Sequence, residues 1–549
     1  MKKLLNLLYV LLVGGVVTAC DKSFLEADPY SFVQTDEFYK TEADMETALV
    51  GCYNMLNASN YGRMFGEEML HMLNAGNDEC VSAYGAVNTV TPFGNGSYTA
   101  AETELKDKWE ALYAGINRCN HLLNKIDDMN LAPSLSAQRR KEIKGEALFL
   151  RGFYHMYLAL MFGAVPINTE PDPDFLQERQ PLQQVYKQIL QDFQDAFALL
   201  PQRATTNGRA NKWTTEGYRA RIYAYLAACK DNNVGQDLPL EINQFNWVDA
   251  DVMYDSLFVV TQRIMNESGY RLTDKYNYLF RETTRQWQYE ECLFTVEGSS
   301  STTNTVANRL NNAWLPWGNA NTRGGSSSKW FVPTTEVLLR YINGDPRRNY
   351  NHAGAIPAGN NAGVEDIEGV RYYVPANVNR QLSGYGVAKY RYRDPALKTI
   401  PAYLSDGAIP LLRYADILLL HAESAYYKGN ETGAREILRR IRERAAKSAS
   451  NPSTALNNMT NNYKKDDFME ELLDERSREL CYELGIRRFD LIRFGKLTSV
   501  IENLDIADSY HAIHSVPALK SNWKPYKIWF PIPTAERDLN QNLVQNYGY

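Results

Sequence analysis

Beyond its first twenty residues the sequence has no apolar run long enough to cross a bilayer, which takes ~20 residues in a helix. A helical membrane-spanning body is therefore excluded. Positive charge is not in excess either: 59 Lys and Arg stand against 65 Asp and Glu, a net charge of −6. That balance argues against nucleic acid or an anionic lipid surface as a partner. Cysteine is scarce and scattered, seven in 549 residues, whereas a disulfide framework needs dense, patterned spacing. Cys52, Cys119, Cys229 and Cys481 fall on apolar stripes of expected helices, Cys292 in an expected strand and Cys80 in a loop, so buried thiols are expected. Catalytic signatures are missing too. There is no His-Glu-x-x-His, Gly-x-Ser-x-Gly or Cys-x-x-Cys, and Gly495-Lys496-Leu497-Thr498 lacks the rest of a phosphate loop. Asn77-Asp78-Glu79 has acidic groups but no EF-hand spacing, so a structural calcium ion is unsupported and no cofactor is expected. His71 and His121 read as ordinary surface or hydrogen-bonded histidines.

At the start of the chain, Lys2 and Lys3 precede a mostly apolar stretch over 4–17, then Thr18, Ala19 and Cys20. A charged segment, an apolar segment and a small residue before a cut make a signal peptide over 1–19. Cys20 directly after Ala19 resembles the lipobox of bacterial lipoproteins, although Val17 stands where leucine is usual. The resemblance implies acylation of Cys20 and anchorage by several acyl chains, which outlasts that of one. Loss of Lys2 and Lys3 takes the net charge from −6 to −8. An ordinary secretory signal with an incidental cysteine is the alternative.

Helical periodicity dominates the remainder. Leu105, Trp109, Leu112, Ile116, Cys119, Leu123 and Ile126 alternate by four and three, the spacing that buries one face of a helix. Similar stripes predict helix pairs at about 42–126 (with a loop insertion), 137–200, 214–265 and 413–444. No single helix of this kind buries its stripe alone, so stacked pairs share a core. A long charged helix is expected over 466–484 and a short one over 487–495. Between 269 and 406 the chain turns rich in Gly, Asn, Ser, Thr, Tyr and Trp, with short strand-like runs and few helical stretches.

Several segments resemble the SusD/RagB family. Glu475-Arg476-Ser477-Arg478-Glu479-Leu480-Cys481-Tyr482-Glu483, followed by Arg487-Arg488-Phe489-Asp490-Leu491-Ile492-Arg493-Phe494-Gly495, is similar to its C-terminal signature. Leu412 to Glu423 looks like its fourth repeat. Pro531-Ile532-Pro533 with Asn540, Asn542, Gln545, Asn546, Gly548 and Tyr549 looks like its terminus, and Cys20 to Glu26 like its mature start. The resemblance implies a mainly α fold: a right-handed superhelix of four tetratricopeptide-like pairs with a loop-rich, mixed α/β remainder packed on it. It also implies a non-catalytic lipoprotein exposed on the outer membrane. Such a protein binds oligosaccharides, or in some branches peptides, and acts as a lid on a SusC-like TonB-dependent transporter.

Sugar binding needs flat apolar faces for the rings and amides or charges for the hydroxyls. Two loop regions have that composition. The first holds Asn77, Asp78, Tyr84, Asn88, Phe93, Asn95 and Tyr98. The second holds Trp287, Asn311, Asn312, Trp314, Trp317, Asn319, Arg323 and Trp330. With 36 Tyr and 9 Trp in the chain, many of these rings must equally serve the core. Glu475, Arg478, Glu479, Arg488, Asp490 and Arg493 read as a structural ion network rather than as catalytic carboxylates. A peptide-binding lid, a surface glycoside hydrolase and a purely structural helical scaffold are the alternatives.

Overall fold

A computed structural model describes residues 38–549 except 59, 61, 84–88, 299–308, 316–329, 355–361, 368–369, 376–384, 391–404, 406, 462–463 and 507–511. The signal peptide and Cys20 lie outside the described residues. Eight helices form the array: α1 Glu42–Asn54, α2 Thr103–Ile126, α3 Ala137–Phe162, α4 Leu182–Leu199, α5 Lys212–Asp231, α6 Ala250–Glu267, α7 Tyr414–Tyr427 and α8 Glu431–Ala446. Their starts are set by caps that satisfy the free N–H groups of a first turn. The Thr41 hydroxyl accepts from Asp44 N while the Asp44 carboxylate accepts from Thr41 N, a reciprocal capping box. Asn211 and Thr214 form a second such box at α5, and the Ser136, Asp249 and Asn430 side chains accept from first-turn N–H groups of α3, α6 and α8. Gly163 stops α3 with φ 78°, a conformation a side chain resists.

Each helix packs on the next, from α1 through α8, so one hydrophobic core runs the length of the array. The α2 stripe is buried, with Leu105, Leu112, Ile116 and Cys119 fully covered. Helix α3 goes further: from Gly145 to Ala159 every residue is buried, because helices and the loop-rich layer cover it on all sides. Helices α2 and α3 approach closely at Gly115, where an added Cβ would lie 2.6 Å from Tyr154 Cε2. The Tyr154 ring cannot retreat, since it is fully buried and its hydroxyl donates to Cys52 O at 2.7 Å. Gly115→Ala is therefore expected to destabilise by about 1–3 kcal/mol despite alanine's better helix propensity. A urea titration against the parent protein checks this.

The remainder contributes four two-stranded antiparallel ladders among the described residues: Cys80–Ser82 with Phe331–Pro333, Cys292–Val296 with Ile409–Arg413, His352–Ala353 with Gly386–Val387, and Ala362–Ile367 with Val370–Pro375. Cys80 thus sits in a strand, not a loop. All six cysteines from Cys52 to Cys481 are free and buried.

Two further helices, α9 Phe468–Leu480 and α10 Ile486–Arg493, carry the C-terminal signature. The long helix expected over 466–484 ends early. Tyr482, Leu484 and Gly485 all have positive φ, a turn that no helix continues through. It is held from inside: Tyr482 N donates to Glu79 Oε2 at 3.1 Å, Gly485 N to Asn74 Oδ1 at 2.8 Å, and Asn74 Nδ2 to Tyr482 O at 2.7 Å.

Candidate functional site

The signature charges form a buried lattice. Arg347 donates to Asp345, Glu475 and Glu479 at 2.7–3.0 Å. Arg442 and Arg478 both pair with Glu471 and Glu475. Arg413 bridges Glu291, Glu479 and Glu483 at 2.6–3.0 Å, Arg444 joins Glu291 to Glu479, and Lys389 closes on Glu483 at 2.6 Å. Burial pushes these carboxyls up, but the surrounding guanidiniums outweigh it and hold Glu475, Glu479 and Glu483 below the usual carboxylate range. A second cluster joins Asp416 to Arg221 and Arg476, and Asp490 to Arg476 and Arg493. These carboxylates are committed to arginine and offer no free acid–base pair.

The first loop region is largely interior. Burial opposes ionisation of Asp78, but Arg487 and Arg340 face its carboxylate and hold its pKa at about 2. Glu79 accepts from Ser477 and Tyr482. Two guanidiniums at Asp78 would repel calcium, and no metal-ligand cluster occurs among the described residues. Phe93 and Tyr98 present no ring face to solvent. They stack on each other at 5.4 Å under Phe530 of the tail, and the Tyr98 hydroxyl donates to Lys527 O. Asn95 shapes a turn, its side chain accepting from Ser97 N. Tyr84 and Asn88 lie outside the described residues.

In the second region Trp314 is buried too, 5.3 Å from the Tyr390 ring and close to Tyr482. Partly buried Trp330 meets His71 edge-on at 4.8 Å. His71 is neither on the surface nor hydrogen-bonded: it is fully buried, and both ring nitrogens lack partners among the described residues. The short helix Glu68–Asn74 is buried over Met69 to Asn74, so no amphipathic pattern marks where His71 points. Asn312 lies on the helix Leu310–Trp314, its side chain beyond description, as are Trp317 and Arg323.

Trp287 is different. It is 44% exposed on the short helix Arg285–Glu291. The buried neighbours on that helix fix its orientation. Gln288 Nε2 donates to Leu279 O and Ala408 O, both at 3.0 Å, and Glu291 joins the ion lattice. Trp287 and Glu290 are left lining a groove of about 680 Å³. Tyr278 supplies a second ring. Thr273 and Arg444 form the floor, while Arg271, Leu272, Asp274, Arg440, Glu443 and Lys447 complete the lining. The rim charges sit in solvent-facing pairs, Arg271 with Glu290 at 3.0 Å and Lys447 with Asp274 at 2.8 Å. Such pairs contribute ~0–1 kcal/mol, so exchanging them for a ligand hydroxyl costs little. Tyr278, Arg440 and Lys447 were not among the sequence candidates. Arg440 and Lys447 are signalled by their spacing with Arg444 along one face of α8 and its C-cap, whereas no sequence signal marks Tyr278.

A helical array faced by a loop-rich layer, with buried charges locked in ion pairs and one tryptophan set in an open groove, is a mainly α scaffold. Residues 290–549 match the family model described as SusD family, and residues 23–224 match the one described as starch-binding, associating with outer membrane. The chain belongs to the SusD/RagB family. SusD-like protein P25 of Formosa agariphila is 24% identical over 99% of both chains. Starch-binding protein SusD of Bacteroides thetaiotaomicron is 30% identical, over 30% of this chain and 26% of that one. Among solved structures, a SusD homolog from Bacteroides thetaiotaomicron matches with TM-score 0.73 at 20% identity, over 93% of this chain and 98% of that one. A laminarin-binding SusD-like protein matches with TM-score 0.67 at 22% identity, over 93% of this chain and all of that one. These likenesses establish the fold.

Proposed function

We propose that the protein is a non-catalytic lipoprotein, anchored through Cys20 and exposed on the outer membrane. It captures oligosaccharides and delivers them to a SusC-like TonB-dependent transporter. In this reading its four helix pairs wind as a right-handed, tetratricopeptide-like superhelix. The observation that carries the reading is Trp287: an exposed ring, fixed by a pinned helix, in a groove whose rim charges sit in weak, solvent-facing pairs. A sugar ring stacks its CH face on such a platform while its hydroxyls replace the weak rim pairs. Relatives described as starch-binding and laminarin-binding support the ligand class, and the outer-membrane description of the family model supports the location. Tyr84, Asn88, Asn95, Asn312, Trp317, Arg323 and Trp330 are proposed as further contacts.

A ligand ring covering roughly 80 Å² of Trp287 gains about 2 kcal/mol, so Trp287→Ala should weaken binding roughly 30-fold. Affinity gels containing a polysaccharide panel measure this. Parent protein retarded by one glycan, with retardation lost in Trp287→Ala, is the expected result. Retention of mixed peptides instead would favour the peptide-binding alternative, and release of new reducing ends would identify a hydrolase.

A further inference from the structure

Helix α8 sets Arg440, Arg444 and its C-cap residue Lys447 four and three residues apart, on one face, and that face walls the Trp287 groove. The carboxylates of the lining are each met by a cation: Glu290 by Arg271, Asp274 by Lys447 and Glu443 by Arg439. Arg444 gives its charge to Glu291 and Glu479 in the buried lattice. Arg440 is the exception. Its neighbour Arg439 takes both Glu436 and Glu443, and Arg440 is left in no ion pair among the described residues. Its guanidinium donates to the Tyr414 hydroxyl, a neutral acceptor. The floor shows the same shortage of acceptors, since Arg444 Nε is buried with no hydrogen-bond partner among the described residues. An unmet buried donor is costly, and an acceptor entering beside it removes that cost.

The chain as a whole carries a net charge of −6, so its long-range field draws no anion. Attraction in the groove is local. An arginine without a carboxylate offers a planar fork of N–H donors that fits two oxygens of a carboxylate or a sulfate ester at once. A neutral sugar hydroxyl leaves that charge unmatched. We infer that the groove selects an anionic oligosaccharide, which stacks one ring on Trp287 and sets a carboxylate or sulfate against Arg440. The inference rests on the proposed glycan binding at Trp287 and adds to it the charge of the ligand.

The test titrates the full-length protein with polygalacturonate, alginate, dextran sulfate and chondroitin sulfate, each beside its carboxyl-reduced or desulfated form. At least one anionic polymer is expected to bind about tenfold more tightly than its neutral form, the size of one charge-assisted contact at a partly exposed site. The pair that shows the difference tells carboxylate from sulfate. Added salt should narrow it. Arg440→Gln should weaken the anionic polymer by about the same factor, and Arg440→Lys, which keeps the charge, should retain part of the binding. Lys187→Gln, at an exposed position on α4 outside the groove lining, makes the same change in net charge and should leave affinity unaltered. Equal binding of charged and neutral forms would overturn the inference and leave the glycan reading standing. So would Arg440→Gln binding like the parent, or Lys187→Gln losing as much. Binding of no polymer at all, charged or neutral, would overturn the glycan reading itself and the inference with it.

Discussion

Replacing Arg413 with methionine is expected to destabilise the protein by about 3–5 kcal/mol, the range for removing one partner of a buried ion pair. The lattice around Arg413 holds six cations (Arg347, Lys389, Arg413, Arg442, Arg444 and Arg478) and six carboxylates (Glu291, Asp345, Glu471, Glu475, Glu479 and Glu483). It is neutral only as a whole. Without Arg413 the cluster keeps six carboxylates against five cations in a region closed to solvent. Glu483 loses two hydrogen bonds, at 2.7 and 2.9 Å, and Glu479 O loses the donor at 3.0 Å. Arg413→Lys restores the charge but not the fork, since an ammonium is a point charge that cannot serve three carboxylates and a carbonyl together. It should fall between the parent and Arg413→Met. Urea unfolding of the three proteins checks the order. Equal stability of Arg413→Met and the parent would show that the lattice contributes specificity rather than stability.

The positions of these charges explain why the cost falls on the whole fold. Arg413 ends a strand that feeds directly into α7, Glu291 ends the helix that presents Trp287, Arg347 belongs to the loop-rich layer, and Glu479 lies on α9. The lattice therefore ties the array, the layer and the groove wall together. Sequence periodicity displays the array plainly, because residues three and four apart on a helix share a face. It carries no record of which arginine meets which glutamate across 66 or 132 positions, as in Arg413–Glu479 and Arg347–Glu479. The aromatic loops show the same limit. Phe93, Tyr98 and Trp314 lie in Gly- and Asn-rich sequence, where rings suggest exposed platforms. In the structure the tail and the short strands form a second layer over them. Trp287 is legible as a candidate, but its groove is not, since one wall, Arg440, Glu443, Arg444 and Lys447, comes from α8 and its C-cap about 150 residues further along the chain.

His71→Leu is expected to leave stability at pH 7 unchanged or raised, and to remove about 2–3 kcal/mol of acid sensitivity between pH 7 and pH 4.5. Burial, with Lys108 nearby, depresses the folded pKa of His71 to about 3, against 6.5 for the free side chain. Between those values the unfolded chain binds a proton that the folded protein excludes. The stabilisation is therefore complete above pH 6.5 and is lost as pH falls toward 3, at about 1.4 kcal/mol per pH unit. His155, also buried and depressed to about 3, titrates in the same direction and remains in the variant. Glu79 and Asp192, which burial raises, act in the opposite direction. The difference between parent and variant isolates His71 from all three. Leucine suits the site because the neighbours include Trp314, Trp330 and Phe331, and because the imidazole nitrogens have no partners to lose among the described residues. Urea midpoints at pH 7 and pH 4.5 supply the measurement. Parallel pH dependence in the two proteins would mean that His71 is protonated in the folded state and that another group compensates its charge.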